Sequence, residues 1–188
     1  MFCPSQEKDV MGSLMSSSYH CVVVGLDGSG KTAILKRLIN GQFVKTYPTV
    51  GFNCETLKTH RASFQMWDVA GRERPRPLWR SYLRGTDVVL FVIDFNDKDR
   101  LDEARMELLN VLKFTKTAST PVLVVASKTD LSCGFEKRNF MEGLDNLDIT
   151  FFSAFTGDGM KELLENLENF ASKRLRKTPL IKLVSCVL

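Results

Sequence analysis

The 188-residue sequence has no long apolar run, so it predicts no membrane-spanning helix. Its longest strictly apolar stretch, residues 88–93, has six residues, whereas a helix needs about 20 to cross a bilayer. The first 24 residues do not combine a basic start with an apolar stretch, so a secretory signal is not indicated. With 44% hydrophobic and 26% charged residues, the composition is typical of one globular domain rather than of a disordered or fibrous chain.

Closely spaced metal-binding residues are also lacking. The sequence has five scattered cysteines, none in CxxC spacing, and two histidines, so a structural zinc site is not predicted. An odd number of cysteines in a core-forming chain favours a reducing compartment, and we therefore expect a cytoplasmic protein.

Positive charge is concentrated at the carboxyl end of the chain. The net charge is +4, and residues 173–188 contribute +5 with no acid, so the remainder carries −1. A nearly neutral body does not indicate nucleic-acid binding. The basic tail, with apolar residues interleaved, is compatible either with contact to an anionic membrane surface or with a solvated helix end.

The order of apolar patterns predicts an α/β fold. Continuous apolar runs at 22–24, 88–93 and 122–125 are typical of strands buried on both faces, as in a parallel sheet covered by helices. Two further strands, joined by the short polar link 59–61, predict an antiparallel hairpin. We expect a mostly parallel six-stranded sheet with one antiparallel edge strand and helices on both faces.

The predicted organisation has three parts. A flexible arm at 1–18 precedes a domain at 19–175, and a basic and apolar tail follows at 176–188. Strands are predicted at 20–24, 52–57, 63–69, 88–93, 122–126 and 149–152. Helices are predicted at 31–40, 100–113, 135–143 and 160–173.

A phosphate-binding loop follows the first predicted strand. The run Gly25-Leu26-Asp27-Gly28-Ser29-Gly30-Lys31-Thr32 matches GxxxxGK[ST] between a strand and a helix. Its glycines let backbone N–H groups surround phosphate oxygens, Lys31 would reach the β- and γ-phosphates, and the Thr32 hydroxyl would bind Mg²⁺. This loop alone does not separate GTPases from ATPases or small-molecule kinases.

Later motifs narrow the choice. Pro48-Thr49-Val50-Gly51-Phe52-Asn53, then Trp67-Asp68-Val69-Ala70-Gly71, then Arg76-Pro77-Leu78-Trp79 resemble the switch regions of the Arf/Arf-like small GTPases, within the Ras superfamily. The resemblance runs from about residue 19 to residue 173. It implies a Ras-like P-loop domain that binds GTP or GDP with Mg²⁺.

The resemblance also implies roles for single residues. Thr49 would bind Mg²⁺ and sense the γ-phosphate, Asp68 would hold Mg²⁺ through water, and the Gly71 N–H would bind the γ-phosphate. Phe52, Trp67 and Tyr82 correspond to aromatic residues that the family presents to effector proteins, although simple core packing would also explain them. In Arf relatives the hairpin shifts register between nucleotide states, and we expect that the 52–69 hairpin can do so.

Guanine selection is implied by two further segments. Ser127-Lys128-Thr129-Asp130 resembles NKxD, in which Asp130 would accept from guanine N1–H and the 2-amino group and the Lys128 stem would lie over the base. Ser153 and Ala154 resemble the loop whose backbone N–H contacts guanine O6. Serine replaces the usual asparagine at position 127. We expect the shorter side chain to tie the base loop less tightly to the phosphate loop and to weaken affinity or speed exchange.

The residue after Gly71 raises the question of hydrolysis. The family places a glutamine there to orient the attacking water, and this sequence has Arg72. A guanidinium only donates hydrogen bonds, so it cannot accept one from the water. Either Arg72 acts as an arginine finger in cis, or it is an exposed charge and hydrolysis is weak. The catalytic candidates are therefore Thr49, Gly71 and an impaired Arg72.

Membrane attachment depends on the start of translation. Residues 11–16 match the myristoylation pattern MGxxx[ST] only if Met11 is the first residue, because Gly12 is internal when translation starts at Met1. One myristoyl chain binds membranes marginally, so a second signal such as the basic tail would be needed. Palmitoylation of Cys3 or Cys186 stays open.

Three functions fit these residues. The first is an Arf-like GTP-dependent switch with weak hydrolysis that works with effectors and, if it cycles, with an exchange factor and an activating protein. The second is a GTP-loaded scaffold that does not cycle. The third, a P-loop kinase for a small acceptor, is disfavoured by the motif around Asp130.

Overall fold

The computed structural model describes residues 17–131, 147 and 149–177, and within them six strands form one sheet. The strands are β1 (Ser18–Val24), β2 (Phe52–Lys58), β3 (Ser63–Val69), β4 (Val88–Asp94), β5 (Val122–Ser127) and β6 (Ile149–Phe151). Their order across the sheet is β2-β3-β1-β4-β5-β6. Only β2 runs antiparallel to its neighbour. The predicted α/β fold class, with its antiparallel edge strand, is confirmed.

The edge hairpin has the predicted short connection. β2 and β3 pair from Phe52 opposite Val69 to Lys58 opposite Ser63. The turn is closed by the Thr59 N–H, which donates to Ala62 O at 2.9 Å, and by the Thr59 hydroxyl, which lies 3.1 Å from the same oxygen. Because β3 also pairs with β1, the hairpin joins the edge of the sheet to its centre.

Helices cover both faces of the sheet. They are α1 (Lys31–Asn40), α2 (Trp79–Leu83), α3 (Leu101–Ala118) and α4 (Met160–Lys177). Alternate residues of β1 point to opposite faces, so Cys21 and Val23 pack in the core with α1 and α4, whereas Val22 and Val24 pack with α2 and α3. A continuous apolar run in the sequence is therefore a strand whose alternate side chains pack on opposite faces of the sheet, both of which are buried.

Several element boundaries differ from the predicted ones. Strand β1 begins at Ser18, inside the predicted arm, because Ser18 is in register with Ser63 of β3. Helix α3 continues to Ala118 and ends where Ser119 adopts a left-handed conformation (φ 53°), a stop that the sequence does not signal with glycine or proline. Helix α4 extends four residues beyond the predicted end, to Lys177.

One helix is missing from the prediction. Helix α2 has five residues and follows a 3-10 turn at Arg76–Leu78. It buries Trp79 and Leu83, one helical turn apart, but is too short to show periodicity. The predicted helix 135–143, most of the arm and the tail beyond 177 lie outside the described residues. Within the described part of the chain, no helix is both long and apolar enough to cross a membrane.

The sheet positions the site. The phosphate loop follows β1, Asp94 ends β4, Ser127 ends β5, and Ser153 follows β6. These four points are the carboxyl ends of parallel strands, so they meet at one edge of the sheet, where open α/β folds form their ligand crevice.

Candidate functional site

A cavity of about 560 Å³ opens at this edge of the sheet. Lys31 and Asp130 both line it, and after the sequence prediction we call the part next to Lys31 the phosphate end and the part next to Asp130 the base end. The sequence-predicted residues that line the cavity are Asp27, Gly28, Gly30, Lys31, Thr32, Thr49, Gly71, Arg72, Ser127, Lys128, Asp130 and Ala154. The other predicted residues, Gly25, Ser29, Asp68 and Ser153, do not belong to the lining and support it through the contacts described below.

Lys31 is a buried cation at the phosphate end. Its ammonium group donates to Gly25 O at 2.9 Å and to Leu26 O at 2.7 Å, and only 6% of the residue is exposed. Burial lowers the pKa of Lys31 to about 8, and the nearby carboxylates of Asp68 and Asp27 oppose this shift. A buried ammonium with only carbonyl partners would gain strongly from an anionic ligand.

Three oxygen-bearing side chains converge beside Lys31. Thr32 Oγ1 lies 2.5 Å from Asp68 Oδ2 and 3.0 Å from Thr49 Oγ1, and Thr49 Oγ1 lies 3.2 Å from the same carboxylate oxygen. Asp68 is fully buried, and its other oxygen, Oδ1, has no hydrogen-bond partner in the described part of the chain. Hard oxygen donors around an unsatisfied buried carboxylate fit Mg²⁺.

Gly71 is seated directly on the phosphate loop. Its carbonyl accepts from the Asp27 N–H at 3.2 Å, and a Cβ at Gly71 would lie 2.3 Å from Gly25 O. Only glycine allows this close approach. The next segment is held by Arg76, which donates from Nε to Gly71 O at 2.9 Å and from a terminal nitrogen to Glu103 at 2.6 Å.

Arg72 also lines the cavity, next to Gly71. Its side chain is exposed and makes no hydrogen bond or ion pair within residues 17–131 or the described part of 147–177. The guanidinium is therefore available to the cavity or to solvent.

The base end is built from side chains on two loops. Asp130, in the 3-10 turn Thr129–Leu131, is exposed, and its Oδ1 accepts from the buried Ser153 hydroxyl at 2.6 Å. The Ser153 hydroxyl also accepts from the Thr156 N–H at 3.1 Å. Ser153 therefore orients the Asp130 carboxylate while Asp130 and Ala154 face the cavity.

Ser127 and Lys128 link the base end to the rest of the site. The Ser127 hydroxyl donates to Ser29 O at 2.6 Å and lies 3.1 Å from Ile93 O. The short Ser127 side chain is buried and does reach the phosphate loop, and the expectation that it holds the loop less tightly than asparagine stays a prediction. Lys128 pairs with Asp94 at 2.6 Å, and its Cε lies 3.9 Å from a Cβ built on Gly30, so its stem passes over the phosphate loop.

The sequence analysis missed two aromatic residues at the base end. Phe43 and Phe155 line the cavity, and their rings meet edge to face with centroids 5.4 Å apart. They are 45% and 66% exposed, which is unusual for phenylalanine and indicates a rim that a flat ligand could cover. Phe155 directly follows Ala154 and could have been suspected from the motif, but nothing in the sequence pairs it with Phe43.

The predicted aromatic group lies outside the cavity. Phe52 stacks on Trp67 with ring centroids 4.9 Å apart, and Tyr82 contacts both rings at 5.7 and 6.4 Å. The Trp67 Nε1–H donates to His20 Nε2 at 3.2 Å. The three aromatic residues form one cluster, in which Phe52 is exposed while Trp67 and Tyr82 are half-buried and also pack against the core, so the structure leaves both interpretations in place.

Comparison with known proteins agrees with this arrangement. The family model described as "Arf: ADP-ribosylation factor family" matches residues 8–171. The chain belongs to the ADP-ribosylation factor family. This Arf-family chain is 43% identical over 173 residues to ADP-ribosylation factor-like protein 4D of Mus musculus, with 85% of the chain and 86% of the relative covered.

Two further similarities extend the comparison. ADP-ribosylation factor-like protein 4A of Homo sapiens is 38% identical over 184 residues, covering 90% of this Arf-family chain and 92% of the relative. Among solved structures, the Arl6 BBS3 small GTPase from Trypanosoma brucei, with bound nucleotide analogue GppNp, superposes with a TM-score of 0.73 and 28% identity. It covers 84% of this chain and 99% of its own.

Proposed function

We propose that this Arf-family chain binds GTP and GDP with Mg²⁺ in the cavity and works as a nucleotide-dependent switch. The supporting observation is that one cavity is lined at one end by Lys31 and at the other by Asp130. A cation and backbone N–H groups suit phosphates, and a carboxylate held by Ser153 suits the paired N–H donors of guanine.

Magnesium would be held by the Thr32 and Thr49 hydroxyls, with Asp68 acting through water. When bound, Mg²⁺ would neutralise charge on the β- and γ-phosphates. Thr49 belongs to the segment that follows α1, and its hydroxyl already lies within 3.2 Å of both partners. Gly71 begins the second mobile segment expected of a switch and contacts the phosphate loop. A third phosphate would therefore add contacts to both segments, and its loss would release them.

Weak hydrolysis is the second part of the proposal. Arg72 lines the phosphate end at the position after Gly71, and a guanidinium has no lone pair to accept a hydrogen bond from an attacking water. Unassisted turnover in the Ras class is about 3–5 × 10⁻⁴ s⁻¹ even with glutamine, a lifetime of somewhat under an hour. Without water positioning, the GTP-bound form would last longer still.

Single-turnover hydrolysis by the Arg72→Gln variant tests this part. We expect a faster rate than for the unaltered chain, because the amide can both donate to and accept from the water. Arg74→Gln is the matched control, since Arg74 is an exposed arginine outside the cavity lining. An unchanged or slower rate for Arg72→Gln would contradict weak hydrolysis and favour a finger role for Arg72.

The loading step of the same experiment tests nucleotide binding. Radiolabelled GTP should be displaced by excess GTP and GDP and should be retained in excess ATP. Equal displacement by ATP would overturn guanine selection.

Addition of cell extract as a source of activating protein separates the two functional alternatives. A faster hydrolysis rate in extract favours a cycling switch, and an unchanged rate favours a GTP-loaded scaffold. The structural argument for the scaffold is that Arg72, exposed at the glutamine position, cannot accept a hydrogen bond from the attacking water.

The proposal includes partners and location. Effector proteins would bind the switch segments and the cluster of Phe52, Trp67 and Tyr82, and a cycling protein would also need an exchange factor and an activating protein. A cytoplasmic protein that attaches peripherally to membranes through its basic tail or a lipid fits the sequence. Intact mass of the protein from cells would reveal the first residue and any acyl group.

A further inference from the structure

Exposed arginines are concentrated on the segment that follows Gly71. Residues 72–84 contain five arginines and one acid, Glu73. Arg76 is buried and paired with Glu103 and Glu107, whereas Arg74, Arg80 and Arg84 are exposed. These three make no ion pair within the described part of the chain. We call Arg74, Arg80 and Arg84 the arginine surface.

The same segment carries exposed apolar side chains. Leu78, in the turn between Arg74 and Arg80, is 57% exposed, and Tyr82, one helical turn later, contacts Phe52 and Trp67. Phe52 is 45% exposed and stacked in a fixed orientation. An exposed apolar centre beside arginines has the composition of a protein interface, in which aromatic residues and arginine are enriched.

We propose that the partner docking here presents an acidic segment with interspersed apolar side chains. Its carboxylates would bind the arginine surface, and its apolar side chains would cover Leu78 and Phe52. This inference rests on the proposed function, since it names the chemical class of the effector. Arginine is the cation best suited to carboxylates, because its planar fork can make two parallel hydrogen bonds to one of them.

Two short segments of the chain connect the proposed docking surface to the cavity. Arg74 lies three residues after Gly71, which rests on the phosphate loop, and Phe52 lies three residues after Thr49 in the oxygen cluster. Movement of either segment would change the position of Phe52 relative to the arginine surface and Leu78. A partner that needs both Phe52 and the arginine surface would therefore discriminate between nucleotide states.

The geometry favours a protein segment over an anionic membrane. Trp67 is half-buried and its indole N–H donates to His20, so turning the ring outward into lipid would break that hydrogen bond. Phe52 is stacked on Trp67 and cannot insert alone without losing that contact. An aromatic cluster whose rings are held against one another can pack against the side chains of a folded protein or peptide, whereas insertion into a bilayer would require the rings to separate.

A random-peptide library displayed on phage tests this inference. Selection is run on the chain loaded with a non-hydrolysable GTP analogue, and selected peptides are sequenced. We expect net-negative peptides with apolar residues. We also expect them to bind the triple variant Arg74→Gln, Arg80→Gln, Arg84→Gln about tenfold more weakly, which is what three exposed ion pairs together supply. The matched control is Lys98→Gln, Lys113→Gln, Lys116→Gln, which removes the same charge from exposed positions elsewhere.

Each outcome has a defined meaning. Neutral or basic selected peptides, no selected peptides, or equal losses in the two triple variants would overturn the inference. Sedimentation with phosphatidylcholine vesicles containing phosphatidylserine is measured in parallel, and loss of vesicle binding in the arginine variant alone, without acidic peptides, would assign the surface to a membrane. Because Arg74, Arg80 and Arg84 do not line the cavity, all variants should load nucleotide equally. Failure of the unaltered chain to load GTP would instead contradict the proposed function.

Discussion

The two ends of the cavity are built differently. At the phosphate end, Lys31 and Asp68 are buried, and their partners are backbone carbonyls and neighbouring hydroxyls of the sheet edge. At the base end, Asp130 and the two phenylalanines are exposed on loops, and each is positioned by one other side chain. The phosphate end is thus continuous with the core, whereas the base end is attached to it at a few points.

This difference determines which changes each end tolerates. A backbone cradle cannot be altered by substituting the residues that form it, except where a Cβ would collide, as at Gly71. A site made of side chains can be retuned one residue at a time. We therefore expect large losses of binding only from substitution of Gly71 or of the buried Lys31 and Asp68 at the phosphate end, and changes of selectivity or rate from substitutions at the base end.

The largest effect is expected for Lys31→Met. Methionine fills the space but supplies no cation for the phosphates, and the loss of two charge-assisted hydrogen bonds should weaken nucleotide affinity by a factor on the order of 10²–10⁴. A fluorescent-nucleotide titration measures the loss, and Lys58→Met, on the exposed side of β2, serves as the control. The thermal midpoint of the nucleotide-free variant is measured alongside, because Gly25 O and Leu26 O lose their donor and the chain must still be folded for the titration to count.

The pH dependence gives a second signature of Lys31. Burial lowers the pKa of Lys31 to about 8 in the free cavity, and the protonated form is the one that attracts phosphate. Nucleotide affinity of the unaltered chain should therefore fall as the pH rises above 8, because binding must then take up a proton. The ratio of nucleotide affinity at pH 7 to that at pH 9 should be smaller for the Lys31→Met variant than for the unaltered chain. Equal ratios would contradict a role for this ammonium in binding.

A smaller and more selective effect is expected for Asp130→Asn. The amide places a donor opposite the N–H groups of guanine, so GDP affinity should fall at least about a hundredfold. Xanthosine diphosphate, which has a carbonyl in place of the 2-amino group, should gain affinity. Competition between the two diphosphates measures the switch, and Asp99→Asn, at an exposed position outside the cavity, should change neither. Retained GDP preference would mean that another group reads the base.

The contrast between the two ends also explains what the sequence could predict. The phosphate loop was predicted from a motif whose glycines let the backbone surround phosphate oxygens, whereas Thr49, Asp68 and Gly71 were assigned from the resemblance to the Arf-like family. The contact between Phe43 and Phe155 joins residues more than a hundred positions apart, and no spacing rule records it. Arg76 and Glu103 likewise meet only through the fold.

Burial was the property hardest to predict at Ser127. The sequence shows a side chain shorter than asparagine, which suggests a missing contact. In the fold, β5 carries Ser127 so close to the phosphate loop that the hydroxyl reaches Ser29 O without a longer side chain. Whether the Ser127 hydroxyl can contact Ser29 O depends on where strand β5 lies in the fold, and the residue type alone does not reveal this.

The smallest effect is expected for Ser127→Ala, which cuts this connection between the two ends. Alanine keeps the Cβ beside Gly30 and leaves the buried Ser29 carbonyl without its donor, a loss of about 1–2 kcal/mol, or roughly five- to thirtyfold in rate. Release of a fluorescent GDP analogue should therefore quicken while the preference for guanine over adenine persists, because Asp130 and Ser153 are unchanged. The exposed Ser81→Ala is the control. An unchanged release rate would show that the ends are held together by Lys128 and its Asp94 partner rather than by the serine hydroxyl.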